Sequence, residues 1–197
     1  MSPHIQQTLV EARSALDALL SNQTTLNAID QAGNCLADLF ERGGRVFSCG
    51  NGGSMCDAMH FAEELSGRYR GNRKALAAVA ISDAGYMSCV ANDYGYEHVF
   101  SRYLEAHARG GDVLVAISTS GTSGNVLAAV RVAKEMGMTV IGLSGRPGAT
   151  LSTLADIDIC TPGGQFADRV QELHIKVIHI LIESVERRLF PENYAPG

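Results

Sequence analysis

Two polar residues near the middle of this sequence have the types and spacing that acid/base or metal chemistry requires. His60 and Glu64 are four residues apart in the segment SCGNGGSMCDAMHFAEEL, so on a helix they project from one face. This spacing suits a shared metal ion or a base held by its neighbour, and it equally suits a surface ion pair. Glu63 is three residues from His60 and nearly as well placed, so the spacing leaves the choice of carboxylate open.

A second candidate group lies near the end of the chain, in the segment ADRVQELHIKVIHILIE. His179 is surrounded there by apolar residues, which fits a hydrogen-bonded core histidine as well as a functional one. Gln171 precedes His179 by eight residues and Glu172 precedes it by seven. Helical spacing alone places Glu172 better on the face of His179 than Gln171.

A third candidate is the hydroxyl-rich segment STSGTSGN, residues 118–125, which follows an apolar run and precedes a helical pattern. Its hydroxyls belong to Ser118, Thr119, Ser120, Thr122 and Ser123. Hydroxyls beside the N–H groups of a helix N-terminus can bind phosphate as neutral donors, without the lysine of a P-loop. Helix capping is the alternative, but one or two hydroxyls would suffice for it. The segment therefore predicts a phosphate site.

The segment CGNGGS, residues 49–54, predicts a glycine turn at which the backbone approaches a ligand closely. Ser54 is a predicted cap for the helix that follows. The dinucleotide fingerprint G-x-G-x-x-G would need a glycine at the position of Met55, so NAD is disfavoured.

The surrounding sequence predicts an α/β fold that can hold these segments together. Two amphipathic helices precede Gly43, and a long helix at about residues 166–189 closes the chain. Between them, Val- and Ile-rich runs predict five buried strands at 45–49, 77–82, 112–118, 139–145 and 156–160. Alternating strands and helices favour a doubly wound, mostly parallel sheet covered on both faces. Ligands of such sheets bind beyond the carboxyl ends of the strands, where the glycine turn and the hydroxyl-rich segment fall.

Length and composition limit the other possibilities. The 197 residues predict a single domain over 1–197, with a helical pair at about 3–42, a core at about 45–162 and the final helix. Basic residues are scattered and the formal charge is −5, so we expect no nucleic-acid partner. No signal-peptide core or membrane span is visible, so we expect a soluble, cytoplasmic protein. Five cysteines without CxxC spacing argue against disulfides and a thiolate zinc site.

Several separated segments together resemble the phosphoheptose isomerases of the sugar isomerase (SIS) fold. The resemblance runs from about residue 5 to about residue 190 and includes SCGNGGSMCDAMHFAEELSGRYR, ANDYGY, FSRYLEA, GDVLVAISTSGTSGNV and ADRVQELHIKVIHILIE. It implies an SIS-type sheet of about five parallel strands with two N-terminal helices and a long C-terminal helix. It also implies an aldose–ketose isomerase that converts D-sedoheptulose 7-phosphate into D-glycero-D-manno-heptose 7-phosphate, the entry to bacterial lipopolysaccharide heptose.

The resemblance also implies roles for individual residues. The implied catalytic pair is Glu64 and His179, with Arg68 and Asp168 as supporting residues. The implied zinc ligands, for one ion per subunit, are His60, Glu64, Gln171 and His179. The implied substrate contacts are Asn51, Gly52, Gly53, Glu64, Asn92, Asp93, Ser118, Thr119, Ser120, Ser123 and Gln171. The family thus selects Glu64 over Glu63 and Gln171 over Glu172.

The resemblance further implies a cytoplasmic homotetramer, and the helical segments at the two ends of the chain favour active sites at subunit interfaces.

Two departures from the family pattern stand out: Gly121-Thr122-Ser123-Gly124 replaces the usual Gly-Asn-Ser-Ala, and the tail PENYAPG extends the end. The alternatives are a non-enzymatic SIS-fold binding protein, of the replication-initiator-associating type, and an isomerase or regulator for another sugar phosphate.

Overall fold

The fold is built around one parallel five-stranded sheet. The computed structural model describes residues 2–164 and 166–195. The strands are β1 (Val46–Gly50), β2 (Ala78–Ala80), β3 (Val113–Ser118), β4 (Thr139–Ser144) and β5 (Ile157–Cys160). They lie in the order β2-β1-β3-β4-β5, and every neighbouring pair is parallel. The predicted fold class is confirmed, with strand bounds within two residues of those read from the sequence.

Helices cover both faces of this sheet. They are α1 (Pro3–Leu20), α2 (Gln23–Glu41), α3 (Gly53–Ser66), α4 (Ala84–Tyr94), α5 (Ser101–His107), α6 (Gly124–Glu135), α7 (Thr150–Leu154) and α8 (Ala167–Leu189), with short 3₁₀ turns at Tyr96–His98 and Pro191–Tyr194. Among the described residues, these helices are too short or too polar to cross a lipid bilayer.

Strand alternation divides the core into two layers. Val113, Val115 and Ile117 of β3 face the layer formed by α2, α3 and α8, whereas Leu114 and Ala116 face the layer formed by α4 to α7. Successive side chains of a strand point to opposite faces, so a strand buried on both sides has an unbroken apolar sequence. The Val- and Ile-rich runs of this sequence are such strands.

Strand β2 corrects one sequence-based prediction. We expected a buried strand over 77–82, but the strand is only Ala78–Ala80 and half-exposed, at the edge of the sheet. An edge strand has only one hydrogen-bonded neighbour, and short length is a common way to limit exposed pairing groups. The other four strands are buried as predicted, apart from alternate residues of β5.

Chain topology places the ligand-binding edge beside β1 and β3. From β1 the chain continues to β2 on one side, while β3 pairs with the other side of β1. Such a reversal of strand order opens a crevice at the carboxyl ends of the two strands. Gly50 at the end of β1 is level with Ile117 of β3, so the segments after these strands emerge next to each other.

Candidate active site

The two predicted ligand-binding segments meet in space. We call residues 50–53 the glycine turn and residues 118–123 the hydroxyl turn. Asn51 donates from Nδ2 to Oδ1 of Asn125, and Asn125 donates from Nδ2 to Oδ1 of Asn51, both at 2.8 Å. The Tyr96 hydroxyl donates to the same Asn51 Oδ1 at 3.3 Å. This reciprocal amide pair fixes the glycine turn against the start of α6.

One glycine of the glycine turn is required by its backbone conformation, and a second is closely packed. Gly52 has φ +54° and ψ −121°, a conformation that residues with a side chain rarely adopt. A Cβ on Gly53 would lie 2.8 Å from Cδ of Gln171, so the backbone of α3 approaches α8 closely there. Helix α3 begins at Gly53, and Gly52 occupies the cap position without a side-chain bond. The predicted capping role of Ser54 is therefore wrong.

The hydroxyl turn gathers its side chains around Ser118, which is buried. Ser118 Oγ lies 3.0 Å from Ser123 Oγ and 3.4 Å from Ser120 Oγ, and it accepts from the Gly121 N–H at 3.1 Å. Ser123 is the cap residue of α6, yet its side chain makes no capping hydrogen bond. The hydroxyls therefore converge on one another at the helix N-terminus, and capping does not account for them.

The best-defined polar contact of the site joins two residues that are 119 positions apart. His60 Nε2, on α3, lies 2.9 Å from His179 Nε2, on α8. Glu64 Oε1 lies 3.6 Å from the same His60 nitrogen. We call His60, Glu63, Glu64 and His179 the His60 cluster. Three residues that the resemblance names as zinc ligands thus share one point between two helices.

The two glutamates that the sequence could not separate contact opposite nitrogens of the His60 ring. Glu63 Oε1 lies 3.1 Å from His60 Nδ1, whereas Glu64 is on the Nε2 side with His179. Glu63 is also the more exposed of the two carboxylates, at 66% against 19% for Glu64. The geometry therefore gives Glu64 the inner position and Glu63 the outer one, where a carboxylate can fix the orientation of the ring.

Burial shifts the ionisation of the inner residues. Burial, followed by the neighbouring Glu63 charge, raises the pKa of Glu64. Burial also lowers the pKa of His179, and the nearby His60, Lys176 and Arg70 act in the same direction. Each shift favours the neutral form, and the shift of Glu64 moves its pKa toward neutral pH, where a general base is most effective.

One further carboxyl on α3 has a strongly shifted pKa. Asp57 is three residues before His60, and one of its oxygens is buried without a hydrogen-bond partner among the described residues. Burial raises the pKa of Asp57 to about 6, with a smaller opposing contribution from His60. Helix α3 therefore carries three carboxyl groups, those of Asp57, Glu63 and Glu64, within about two helical turns.

The His60 cluster has the donor types of a zinc site, and its two contacts at His60 Nε2 have a suitable length. Zinc prefers imidazole nitrogen and carboxylate oxygen at about 2.0–2.2 Å, so two of its ligand atoms lie roughly 3.3 Å apart. The separations of 2.9 Å and 3.6 Å around His60 Nε2 bracket this value. Ligand atoms of His60, Glu63 and Glu64 also lie within 4.8 Å of one another. A metal ion fits the residues present.

Gln171, the fourth ligand that the resemblance implies, lies against Gly53 at the start of α3. It precedes His179 by eight residues, about 12 Å along the helix axis, so both can meet at one ion only through extended side chains. Glu172, the alternative that spacing favoured, forms an ion pair with Arg169. Gln171 thus faces α3 whereas Glu172 is held elsewhere, and the ligand role of Gln171 stays a prediction.

The remaining predicted residues lie on the surface. Asn92 and Asp93, near the end of α4, are exposed and bonded to each other at 2.7 Å. Asp168 is exposed in the first turn of α8, where its carboxylate accepts from the Arg169 N–H at 2.8 Å. Arg68 is exposed just after α3. Their roles in substrate binding or support stay predictions.

Sequence reasoning missed several residues that the structure places at the site. Asn125 and Tyr96 hold Asn51, and the ring of Tyr69 lies 5.8 Å from that of His179. Tyr69 and Tyr96 belong to segments that carried the resemblance, GRYR and ANDYGY. Tyr69 and Tyr96 are close in sequence to predicted site residues, and this closeness was the signal that could have identified them.

Comparisons with known proteins agree with this arrangement. Residues 10–145 match the family model of the SIS domain. The phosphoheptose isomerase of Aeromonas hydrophila is 56% identical over 185 residues, which cover 94% of this chain and 96% of the relative. That of Histophilus somni is 56% identical over 182 residues, covering 92% and 93%.

Two solved structures are similar as well. A phosphoheptose isomerase from Francisella tularensis has a TM-score of 0.89 at 30% identity, covering 95% of this chain and all of the other. The phosphoheptose isomerase from Neisseria gonorrhoeae has a TM-score of 0.79 at 37% identity, covering 93% and 95%. Similarity therefore extends over nearly the whole chain in sequence and in fold.

Proposed function

This chain belongs to the SIS-domain family and, within it, to the phosphoheptose isomerases, and from that premise we propose how its site works. It is an aldose–ketose isomerase that converts D-sedoheptulose 7-phosphate into D-glycero-D-manno-heptose 7-phosphate. This product supplies the heptose of lipopolysaccharide. The observation that carries the assignment is the meeting of Glu64 and His179 at His60 Nε2, on the helix that begins at the glycine turn.

Isomerisation requires one proton to move between carbons and another between oxygens. We assign the carbon proton to Glu64: its carboxylate removes a proton from C1 of the ketose, and the C1–C2 double bond of the enediol forms. His179 donates a proton to O2 and then takes the proton of O1 as the C1 aldehyde forms. Glu64 returns its proton to C2, which completes the aldose with no net gain or loss of protons.

The shifted ionisation of this pair suits these steps. A carboxyl whose pKa is raised by burial is a stronger base when ionised than an exposed one, and Glu64 is such a group. A histidine whose pKa is lowered is neutral at physiological pH and can exchange protons between two oxygens. His179 also opens the cyclic form of the sugar in this proposal.

The hydroxyl turn binds the phosphate in this proposal. Ser118, Ser120 and Ser123 offer hydroxyls beside the N-terminus of α6, whose free N–H groups and dipole favour an anion. Asn51, Gly52 and Gly53 lie next to this turn and approach the sugar through the backbone. Asn92 and Asp93 complete the proposed substrate contacts.

Zinc is the proposed cofactor, held by His60, Glu64 and His179 with Gln171 as the fourth ligand. When bound, it would supply positive charge that stabilises the enediolate oxygens. Glu63 would keep the His60 ring oriented through Nδ1. Because Glu64 and His179 are both ligands and proton-transfer groups in this proposal, the second carboxylate oxygen of Glu64 and the ring nitrogen of His179 that does not bind the ion serve the proton transfers.

A cytoplasmic homotetramer is the proposed assembly, and Arg68 and Asp168 are the proposed supporting residues of the active site. Helix α1 supports an interface, because only Leu19 of its 18 residues is buried while Ile5, Leu9, Val10 and Leu20 are exposed. Exposed apolar residues on one helix are typical of a surface that another subunit covers. Size-exclusion chromatography with light scattering tests this assembly.

The other function classes are not favoured. A non-enzymatic SIS-fold protein would not need a carboxylate and a histidine together at His60, and this chain has both. A regulator or isomerase for a different sugar phosphate agrees less well with relatives that are more than half identical over 94% of the chain.

The direct test is to incubate the purified protein with sedoheptulose 7-phosphate and to follow the aldose by anion-exchange chromatography or NMR. A parallel sample treated with a chelator and then with zinc tests the cofactor. We expect aldose formation that the chelator abolishes and zinc restores. Failure of the untreated, zinc-supplemented protein to form aldose would contradict the proposed function.

A further inference from the structure

We propose that Arg73 is a positioning residue for Glu64, and that the 3₁₀ turn Pro191–Tyr194 after α8 holds Arg73 in place. This inference rests on the proposed function, since it concerns the placement of the proposed base. Arg73 lies in the extended segment between α3 and β2, outside every segment that carried the family resemblance.

Arg73 binds the backbone of the helix end that carries Glu64. Its Nη2 donates to the Glu64 carbonyl oxygen at 2.7 Å, and its Nη1 donates to the carbonyl oxygens of Leu65 at 2.7 Å and Gly67 at 3.0 Å. The last carbonyls of a helix have no partners within it, and a cation at this end also complements the helix dipole. Arg73 therefore fixes the last turn of α3 from outside the helix.

Glu186 holds Arg73 from the other side. Arg73 Nε donates to Glu186 Oε1 at 2.8 Å, and both side chains are 0% exposed. Directional bonds between two fully buried charges leave one favourable geometry. Glu186 lies on α8, seven residues after His179, and so on the same face of that helix. One guanidinium group thereby connects the helix of Glu64 with the helix of His179.

The chain after α8 completes the arrangement. The Tyr194 hydroxyl donates to Glu186 Oε2 at 2.9 Å, so both oxygens of the buried carboxylate are occupied. Asn193 donates from Nδ2 to the carbonyl oxygen of Asn72 at 3.2 Å. A Cβ on Gly71 would lie 2.7 Å from this Asn193 nitrogen, which shows how closely the two segments pack. The tail noted as a departure from the family thus covers the ion pair.

This arrangement predicts an effect on the rate rather than on binding. Proton transfer depends on the placement of the base to within a fraction of an ångström, whereas the proposed phosphate contacts lie in the hydroxyl turn between β3 and α6. Arg73→Lys keeps the charge but loses the planar group that reaches Glu186 and three carbonyls together. We expect kcat to fall about tenfold and KM to stay within about twofold.

The matched control is Arg188→Lys. Arg188 lies on α8 like Glu186, but it pairs at the surface with Asp38 and Glu41, away from the site. We expect wild-type kcat and KM for this variant, because surface ion pairs contribute little. Tyr194→Phe removes one bond to Glu186 and is the milder test, with an expected fall in kcat of about threefold. All assays use zinc-supplemented full-length protein below its unfolding temperature.

Hydrogen–deuterium exchange supplies a readout that does not need turnover. We expect amides of residues 64–67 to exchange about tenfold faster in Arg73→Lys than in Arg188→Lys, and faster in Tyr194→Phe than in wild type. If Arg73→Lys does not fold, the kinetic constants and the hydrogen–deuterium exchange of Tyr194→Phe test the positioning role instead.

The outcomes separate this inference from the proposed function. An active wild type with an unchanged kcat in the folded Arg73→Lys variant overturns the positioning role alone. A change in KM with kcat preserved overturns it too. An inactive wild type overturns the proposed function. If exchange at residues 64–67 is then also unchanged in Arg73→Lys, the positioning role of Arg73 is overturned as well.

Discussion

The hydroxyl turn and the His60 cluster are built in opposite ways. The hydroxyl turn is one continuous segment of six residues that offers neutral donors on a loop. The His60 cluster joins titratable side chains of two helices across 119 positions. A loop can fit a phosphate with local bonds alone, whereas proton transfer needs groups whose relative position is fixed by packed helices.

This difference separates binding from chemistry. The hydroxyl turn can hold the phosphate with similar strength in substrate, enediol and product, because the phosphate does not change during isomerisation. Such uniform binding affects KM. In the proposed mechanism the His60 cluster acts where charge and protons move, so we expect its interactions to affect kcat. Substitutions in the two regions should therefore have different kinetic signatures.

The largest effect is expected from Glu64→Gln and His179→Gln. Each variant keeps the size of the side chain and removes a proton-transfer group, so we expect kcat to fall by about 10³-fold or more with the fold intact. Steady-state kinetics and circular dichroism measure the two properties. Glu63→Gln, which changes the outer partner of His60, is the matched control and should lose far less activity. Near-normal turnover in Glu64→Gln or His179→Gln would contradict the assignment of chemistry to the His60 cluster and of binding to the hydroxyl turn.

The converse signature is expected from the double variant Ser118→Ala and Ser120→Ala. Loss of two hydroxyls proposed to bind a charged phosphate should raise KM about 100-fold or more, because each such bond contributes about 1.5–3 kcal/mol. We expect kcat to change about threefold or less. Isothermal titration with a phosphorylated sugar gives an independent measure. Unchanged affinity would show that the phosphate binds elsewhere.

A third prediction compares a buried histidine of α8, the helix that carries His179, with the hydroxyl turn in their effect on the pH dependence of stability. His174 on α8 is fully buried, and burial lowers its pKa from 6.5 to about 4. A neutral buried histidine stabilises the fold above pH 6.5, and this stability is lost as the pH falls toward 4. Between pH 7.5 and 5, His174 should therefore remove about 2 kcal/mol from the free energy of unfolding.

Urea unfolding of wild type, His174→Gln and Ser118→Ala at the two pH values, at equal protein concentration, measures this effect. We expect His174→Gln to lose part of the pH dependence, since it has no proton to gain. Ser118→Ala should keep the wild-type dependence, because the hydroxyl turn does not titrate. Equal pH dependence in all three proteins would contradict the assignment to His174.

The smallest effect comes from a matched pair of glycines, each the first residue of the helix after its turn. In Gly53→Ala the new Cβ meets Gln171, so we expect a loss of about 1–2 kcal/mol in stability. In Gly124→Ala the Cβ enters open space, so we expect a change within about 0.5 kcal/mol of zero or a slight gain. Thermal unfolding without phosphate measures both. Equal losses would show that the close approach of α3 to α8 is not specific to the glycine turn.

The sequence alone was sufficient for the hydroxyl turn and for most of the sheet. A local segment carries its own signals: apolar runs predicted β1, β3, β4 and β5, and the hydroxyl-rich segment predicted a turn between a strand and a helix. Strand β2 was predicted too long because its apolar residues look the same at an edge as in the interior. Burial at a sheet edge depends on neighbours that the local sequence does not contain.

The His60 cluster needed information from outside any local pattern. Helical spacing could not separate Glu63 from Glu64, since both positions lie near His60, and the choice depends on which ring nitrogen each approaches. Spacing favoured Glu172, which pairs with Arg169, over Gln171, which faces α3. The contact of His60 with His179 depends on how α3 packs against α8. Within the sequence, only the family resemblance indicated that His60 and His179 belong to one site.

The measurement that tests the central claim most directly is isomerisation of sedoheptulose 7-phosphate in D₂O. Glu64 is 19% exposed, so its carboxyl proton can exchange with solvent between leaving C1 and reaching C2. We predict an aldose with deuterium at C2 from the wild type, and no aldose above background from Glu64→Gln. An aldose that keeps only protium at C2 while Glu64→Gln retains full activity would contradict Glu64 as the carbon base.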